Sequence, residues 1–451
     1  MKFGKAFLTG VLSAGVVFGV SSCIQSYTTG FLYVTGTVTA QPNGNGIISG
    51  YKIDHNTGEL VQINALPVSS GGANPVRAVL TTGQRFLYVL NRGANAAGSG
   101  DCYGTDPSTA CQGANITQFV VGGNGILTPQ ETFFSQGYNP FRLITDNTGN
   151  YLMVLDHDAP SGAACKAALG PSVTTCGDIT VFQIDQTTGR LSLVQNAQVT
   201  AAGGQSLTYF PVPANPVDFT LSGNFVLTLS SNSVAAGYPY IGGAVVYPYG
   251  YGGAGQLTLS QNSTQPLGIA GGTAIINTNG SVYVLDNEPI TVPSGGIYPP
   301  GNYFSQILPF TVGANGALQA QTGGIVPDDA TASNPIQLLA ENKHQYLYIA
   351  NQGNNIQGNN PQSVIAGYQI FTSPAFQLQF VPGEPWGMGS GPQCIVEDPS
   401  NQYIYTANFY DSSITGRVLD PNSGQLNPMR VANIYPLQGP ATWCLMDGRT
   451  S

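Results

Sequence analysis

A Gly-x-Leu turn recurs along this chain at a nearly constant spacing, and no other feature limits the possible folds as strongly. It stands at Gly58-Glu59-Leu60, Gly125-Ile126-Leu127, Gly189-Arg190-Leu191, Gly255-Gln256-Leu257, Gly316-Ala317-Leu318 and Gly424-Gln425-Leu426, with a degenerate copy at Phe376-Gln377-Leu378. Successive leucines lie 48 to 67 residues apart. A period this long marks a unit of several elements stacked on copies of itself; the repeats of a β-solenoid are much shorter.

A second signature keeps the same beat. A proline opens an apolar segment, a polar turn follows, and then comes an aromatic-rich strand closed by Asn, Asp or Ser. Pro75 leads to Phe86 through Asn91, Pro140 to Tyr151 through Asp156, and Pro216 to Phe225 through Ser230. Pro335 leads to Tyr346 through Asn351 and Pro392 to Tyr403 through Asn408, while Ser281 through Asp286 has lost its proline. Each period thus holds four short strands: A after the proline, B aromatic, C, and D after Gly-x-Leu. Strands rich in Val, Ile, Tyr and Phe cannot bury both faces alone. Four-stranded sheets packed radially about an axis bury both, so the expected fold is all-β, a seven-bladed β-propeller of antiparallel blades. The chain opens on a B strand, Phe31 to Val34, and finishes on an A strand from Pro440 to Leu445. Pairing the two ends in one blade closes the ring and leaves no free sheet edge there. A single domain over residues 28–447 is expected, with a tail at 448–451.

Strand order sorts the loops. A-to-B and C-to-D turns share one face, the bottom, and are short and stereotyped. D-to-A and B-to-C connections share the top and are long: 92–113, 157–177, 289–303 and 352–361. Long, dissimilar loops on a rigid scaffold mark the top as the functional face. Cys102 and Cys111 share one top loop, and Cys165 and Cys176 share the next. Cys394 and Cys444 fall on neighbouring innermost strands, where a disulfide would lock the closing blade to the one before it. None of these pairs has metal-type CxxC spacing, so disulfides are expected, with free buried thiols as the alternative for the last pair.

The N-terminus reads as targeting. Lys2 and Lys5 precede an uncharged apolar stretch, Ala6 to Val20, which ends in Val20-Ser21-Ser22-Cys23. That arrangement resembles a bacterial lipobox, with residues 1–22 removed, Cys23 acylated and 23–27 a short tether. Ile24 follows the cysteine where an inner-membrane retention signal would place aspartate, so an outer membrane is the expected destination, facing the periplasm or the outside. Loss of the two leader lysines takes the net charge from −9 to −11. An acidic mature chain with few cations excludes nucleic acid as a partner and leaves the lipid as the membrane contact. No phosphate loop, HExxH, GxSxG or nucleotide fingerprint is present. A monomer is expected.

The blades resemble those of the seven-bladed lactonase family, the 6-phosphogluconolactonase-like propellers. The likeness is carried by Asn74-Pro75, Asn139-Pro140, Asn215-Pro216 and Asn334-Pro335. It extends to strands such as Tyr346-Leu347-Tyr348-Ile349-Ala350-Asn351 and turns such as Ile184-Asp185-Gln186-Thr187-Thr188-Gly189-Arg190-Leu191. It implies hydrolysis of a sugar-acid or similar lactone by His, Arg and Glu side chains about the axial channel. This chain departs from that pattern in holding only three histidines. His55 and His344 fall in bottom turns, which leaves His157.

Alternation along the inner strands predicts that residues two after each proline face the axis: Arg77, Arg142, Asp218, Gln337, Cys394 and Thr442. Arg77, Arg142 and Gln337 are the expected substrate contacts. His157 or Asp218 would activate water. No cofactor is expected, although Asp286 and Glu288 could offer oxygen ligands to a divalent cation. The aromatic run from Tyr238 to Tyr251 could stack on sugars. The alternative is a non-catalytic surface propeller that binds carbohydrate or protein through its top loops.

Overall fold

The computed structural model describes residues 27–38, 44–81, 83, 85–98, 102–200, 204–231, 243–259, 265–278, 280–321, 326–354, 362–372 and 375–448. The leader, Cys23, residues 449–451 and the first part of the aromatic run, 238–242, lie outside them. The described residues form seven antiparallel sheets around one axis, a seven-bladed propeller, with a further two-stranded sheet, Ile290–Val292 and Gly301–Tyr303, in a top loop. Blade 1 joins the two ends of the chain, with Ala441–Asp447 innermost, then Thr28–Gly36, Asn45–Asp54 and Leu60–Gln62. Val34 lies opposite Cys444 and Tyr33 opposite Leu445 across that junction.

The inner strands of blades 2 to 7 are Pro75–Leu80, Tyr138–Thr145, Pro216–Ser222, Gly272–Thr278, Pro335–Ala340 and Pro392–Glu397. In every blade except the second, a short fifth strand pairs with the C strand beyond the four expected. Phe210–Val212 and Ile434–Pro436 are examples. The D-to-A connection thereby satisfies the part of the C-strand edge that the short D strand leaves open.

B strands are buried along all or most of their length, completely in Phe86–Asn91 and Tyr403–Asn408, because a neighbouring blade covers each face. Their side chains serve the two neighbours in alternation. Phe31 and Tyr33 pack into the layer shared with blade 2, beside Leu87, Val89 and Phe119. Leu32 and Val34 pack into the layer shared with blade 7, beside Tyr405 and Ile414.

This packing explains why the two sequence signatures keep step. The glycine of Gly-x-Leu has φ near +70° at Gly58, Gly189 and Gly424, values of 68°, 73° and 72°. It lies against the first aromatic of the preceding blade's B strand. A Cβ on Gly189 would stand 2.6 Å from the Phe86 ring, and one on Gly424 would stand 2.3 Å from Tyr346. Where the residue two further along that strand is a tyrosine facing such a glycine, the glycine carbonyl accepts its hydrogen bond. Tyr33 donates to Gly125 at 2.8 Å, Tyr348 to Gly424 at 2.7 Å and Tyr405 to Gly58 at 2.7 Å. Each such bond contributes about 1 kcal/mol. In blade 6, where Phe376 replaces the glycine, the preceding B strand begins with Ser281 in place of an aromatic. The two halves of the device are lost together.

All three expected disulfides are formed: Cys102–Cys111, Cys165–Cys176 and Cys394–Cys444. The first two brace top loops, and the second encloses a helix, Gly162–Leu169, that the loop composition did not predict. The third ties blade 7 to blade 1 beside the closure. Among the described residues no helix is long and apolar enough to cross a membrane.

Candidate functional site

The top mouth of the axial channel is shaped by one local device repeated in five of the seven blades. The residue before the inner-strand proline is left-handed: Asn74, Asn139, Asn215 and Asn334 have φ of 51°, 60°, 50° and 53°, and Gly391 has 70°. Asparagine is the non-glycine residue that adopts this conformation most readily. A β-bulge follows at once. Pro75 pairs with Asn91 and Arg77 with Leu90, which leaves Val76 as the extra residue. The same shift falls at Val217, Thr273, Ile336 and Gln393, and at Thr442 in the closing blade.

The bulge changes which side chains face the axis. Val76, Thr273, Ile336, Gln393 and Thr442, each the bulged residue of its blade, line a cavity of about 380 Å³. Arg77, Arg142, Phe409 and Tyr410 complete the lining. The alternation rule, which placed the residues two after proline at the axis, is corrected on this point. Asp218 Oδ2 instead accepts the backbone N–H of Ile275 in the next blade at 3.0 Å, and Gln337 Oε1 accepts that of Ile395 at 3.0 Å. Cys394 is spent on its disulfide. These positions staple inner strands together, and only the two arginines are long enough to reach the cavity. Thr442 does line it, because Ala441 takes the proline's place in the register and makes Thr442 the bulge.

Arg77 is the group that stands out. Its guanidinium carbon lies 3.5 Å from the centre of a Trp443 ring, a stacked cation–π contact across the blade 1–blade 2 seam. Among the described residues no carboxylate forms an ion pair with it. Burial, and then the charge of Arg142, push its pKa well below the ordinary arginine value, against a smaller opposing pull from Asp218. Arg142 is held in place: its Nε donates to Asp218 Oδ1 at 3.1 Å and its Nη1 to the Phe141 carbonyl at 3.2 Å. Both oxygens of Asp218 are therefore committed, one to Arg142 and one to Ile275. Its visible role is to aim the arginine.

His157 lies on the top edge of blade 3 and is not among the residues lining the cavity. Its Nδ1 is 3.0 Å from Asp158 Oδ2, and its ring packs 6.3 Å from Phe141, the bulged residue of the inner strand. Burial works against the Asp158 carboxylate, yet hydrogen bonds from His157 and Asn139 hold it below its ordinary pKa. Asn139 also accepts the N–H of Cys111, so the disulfide loop of blade 2 is tied to this corner. Asp286 is wholly buried, accepts the Gln306 amide at 2.7 Å and is pushed up to about 6, mainly by burial. Among the described residues no three His, Cys, Asp or Glu side chains cluster as a metal site around it or elsewhere.

Sequence reasoning missed the aromatic rim. Phe409 and Tyr410 follow the end of a B strand where other blades continue with Arg92-Gly93 or Gln352-Gly353. Two aromatics at that place were the available signal. Gly391 makes room for them: a Cβ there would sit 2.2 Å from the Tyr410 ring.

No family model and no curated relative matches the sequence. Solved structures do. A 6-phosphogluconolactonase-like protein from Bacteroides fragilis superposes with a TM-score of 0.63 at 15% identity, over 93% of this chain and 98% of that one. The periplasmic gluconolactonase of Pseudomonas aeruginosa superposes at 0.60 and 16% identity, over 93% of this chain and 99% of that one. The fold is that of the lactonase-like seven-bladed propellers. At these identities the likeness is one of fold, and the residues of the channel must carry any chemistry.

Proposed function

We propose that the protein is an exported, lipid-anchored lactonase-like propeller that takes a small carboxylate-bearing lactone at the top mouth of its axial channel. The observation that carries this reading is Arg77, a cation without a carboxylate partner among the described residues, facing a cavity of about 380 Å³ beside Arg142. A half-buried cation with no carboxylate beside it is partly stripped of water, and a bound carboxylate offsets that cost. In this reading Arg77 seats the carboxylate, and Arg142, aimed by Asp218, faces the oxygen that gains charge when the ring carbonyl is attacked. His157, oriented through Nδ1 by Asp158, is the group left to activate water. The leader and Cys23 support a lipid anchor, and three disulfides support an extracytoplasmic address.

A second reading, a binding propeller without turnover, is favoured by one observation: among the described residues no imidazole or carboxylate lines the cavity. Hydrolysis by the mature domain of a panel of lactones that keep a free carboxylate, such as aldarolactones, with neutral aldonolactones beside them, separates the two. Turnover above the spontaneous rate, lost in Arg77→Ala and reduced in His157→Ala, supports the lactonase. Saturable binding of the lactones with no turnover supports the binder. If neither occurs in a folded, disulfide-intact sample, both readings fail.

A further inference from the structure

The blades repeat one packing scheme, so a blade that departs from it marks a place where the chain serves something besides the fold. Near the lower end of the C strand, six blades turn an aliphatic side chain into the seam with the preceding blade: Ile53, Val121, Ile184, Val312, Ile370 and Leu419. Blade 4 has Tyr251 there, packed in the seam with blade 3. Its ring meets that of Tyr151 edge to face at 6.4 Å, with an interplanar angle of 86°. Its hydroxyl is buried and completes no hydrogen bond among the described residues. Burial, and then the nearby Asp146 carboxylate, push its pKa up, so it stays protonated. A hydroxyl in that state costs about 1–3 kcal/mol, which none of the six aliphatic residues incurs.

A cavity of about 250 Å³ opens beside Tyr251 on the bottom face, at the seam of blades 3 and 4. Tyr151, Tyr251 and Leu221 give it an apolar side. Tyr151 is fixed by its hydroxyl, which donates to the Gly253 carbonyl across the seam at 3.2 Å. Asn147, Asn150 and Asn224 stand exposed around the opening, and among the described residues none of their carboxamides bonds to the protein. Each offers donors and an acceptor along one edge. A Cβ on Gly223, Gly252 or Gly253 would meet nothing within 4 Å, so the backbone of the wall is open to close approach. Free charge is missing. Among the described residues no Lys, Arg or His lines the cavity. Its one carboxylate, Asp146, is 4% exposed and accepts the Thr148 hydroxyl at 2.5 Å and the Tyr151 N–H at 2.9 Å.

We infer that this cavity is a binding site for a neutral saccharide residue, separate from the channel mouth on the opposite face. A pyranose ring lays its C–H groups on aromatic surface, and its neighbouring hydroxyls match the donor-and-acceptor edge of a carboxamide. The wall holds no cation to pair with a carboxylate and no free carboxylate to pair with an ammonium group, so a neutral sugar is the class that fits. Saturation-transfer NMR of the mature protein with the methyl glycosides of glucose, galactose, mannose and N-acetylglucosamine tests the site. At least one of them should bind saturably with a Kd of about 10 mM or tighter. Tyr251→Ile should weaken it about tenfold or more without unfolding blade 4, because Ile53, Ile184 and Ile370 already fill this place in other blades. Asn147→Ala combined with Asn224→Ala, both exposed turn positions, should weaken it by a similar factor. Arg77→Ala should leave it unchanged. Saturable binding by none of the four glycosides to the folded protein overturns the inference. So does binding that survives both Tyr251→Ile and the asparagine pair, or binding that is lost in Arg77→Ala and therefore belongs to the channel mouth.

Discussion

Replacing Asp156 and Asp178 together by asparagine should make the propeller more stable at neutral pH than at acid pH relative to the parent. In blade 2 the ends of the B and C strands face each other as Asn91 and Asn115, with Asn91 Nδ2 donating to Asn115 Oδ1 at 2.8 Å. Blade 3 places Asp156 opposite Asp178 in the same register, both 0% exposed. Two carboxylates cannot both ionise there, and one proton must do what an amide N–H does in blade 2. Burial pushes Asp156 up to about 7 despite hydrogen bonds from Ser135, Gly137 and Thr180. Asp178 is held well above the carboxylate range, first by burial and then by the charge of Asp156, with Asp158 adding a smaller repulsion.

The sign follows from the raised folded-state values. The pair's stabilisation is complete below the unfolded pKa of about 4 and is lost as pH climbs to about 7. For Asp156 the rise from 3.8 to about 7 amounts to about 4 kcal/mol, with no discount for solvent at a fully buried group. The double variant, an amide pair like that of blade 2, removes this titration. Urea denaturation at about pH 4.5, 6 and 8 should show the difference between variant and parent growing by roughly that amount toward pH 8. Asp328, Glu384 and Glu397, pushed up to about 7, 8 and 8 by burial, drive the parent the same way, so only the difference reports on blade 3. Parallel curves, with a difference that does not change with pH, would refute the reasoning.

Other consequences are as specific. Gly189→Ala, which places a Cβ 2.4 Å from Gln118 and 2.6 Å from Phe86 at a φ of 73°, should cost about 2–4 kcal/mol by denaturant midpoint. Gly223→Ala, at a φ of 57° with nothing within 4 Å, should cost only about 1 kcal/mol. Cys394→Ser with Cys444→Ser should lower stability by about 2–4 kcal/mol, and reductant should then have little further effect through this bridge. Cys23→Ser in the full chain should abolish incorporation of labelled fatty acid into the protein; a parent that takes up no label, or a variant labelled as strongly as the parent, would remove the lipid anchor from the proposal.

The architecture was legible because it is written seven times. Gly-x-Leu, the B-strand aromatics and the split terminal blade each follow from packing that every blade must satisfy, so a degenerate copy such as Phe376-Gln377-Leu378 could still be placed by its neighbours. The channel was less legible, for a physical reason. Alternation assumes an unbroken strand, and the bulge after each left-handed Asn or Gly moves the side-chain phase by one residue. Asp218 and Gln337 thus staple blade seams where Thr273 and Gln393 face the axis. Arg77 and Arg142 survived the shift through side-chain length. Phe409 and Tyr410 belong to a loop, where no repeat constrains the reading, and so only their contrast with Arg92-Gly93 could have singled them out.

The most direct test of the anion seat is a crystal structure of the mature protein soaked with a small carboxylate. The expected result is a carboxylate within hydrogen-bonding distance of the Arg77 guanidinium, its body against Phe409 and Tyr410. A ligand bound elsewhere on the top face, with Arg77 still stacked on Trp443 and making no contact with it, would contradict the seat.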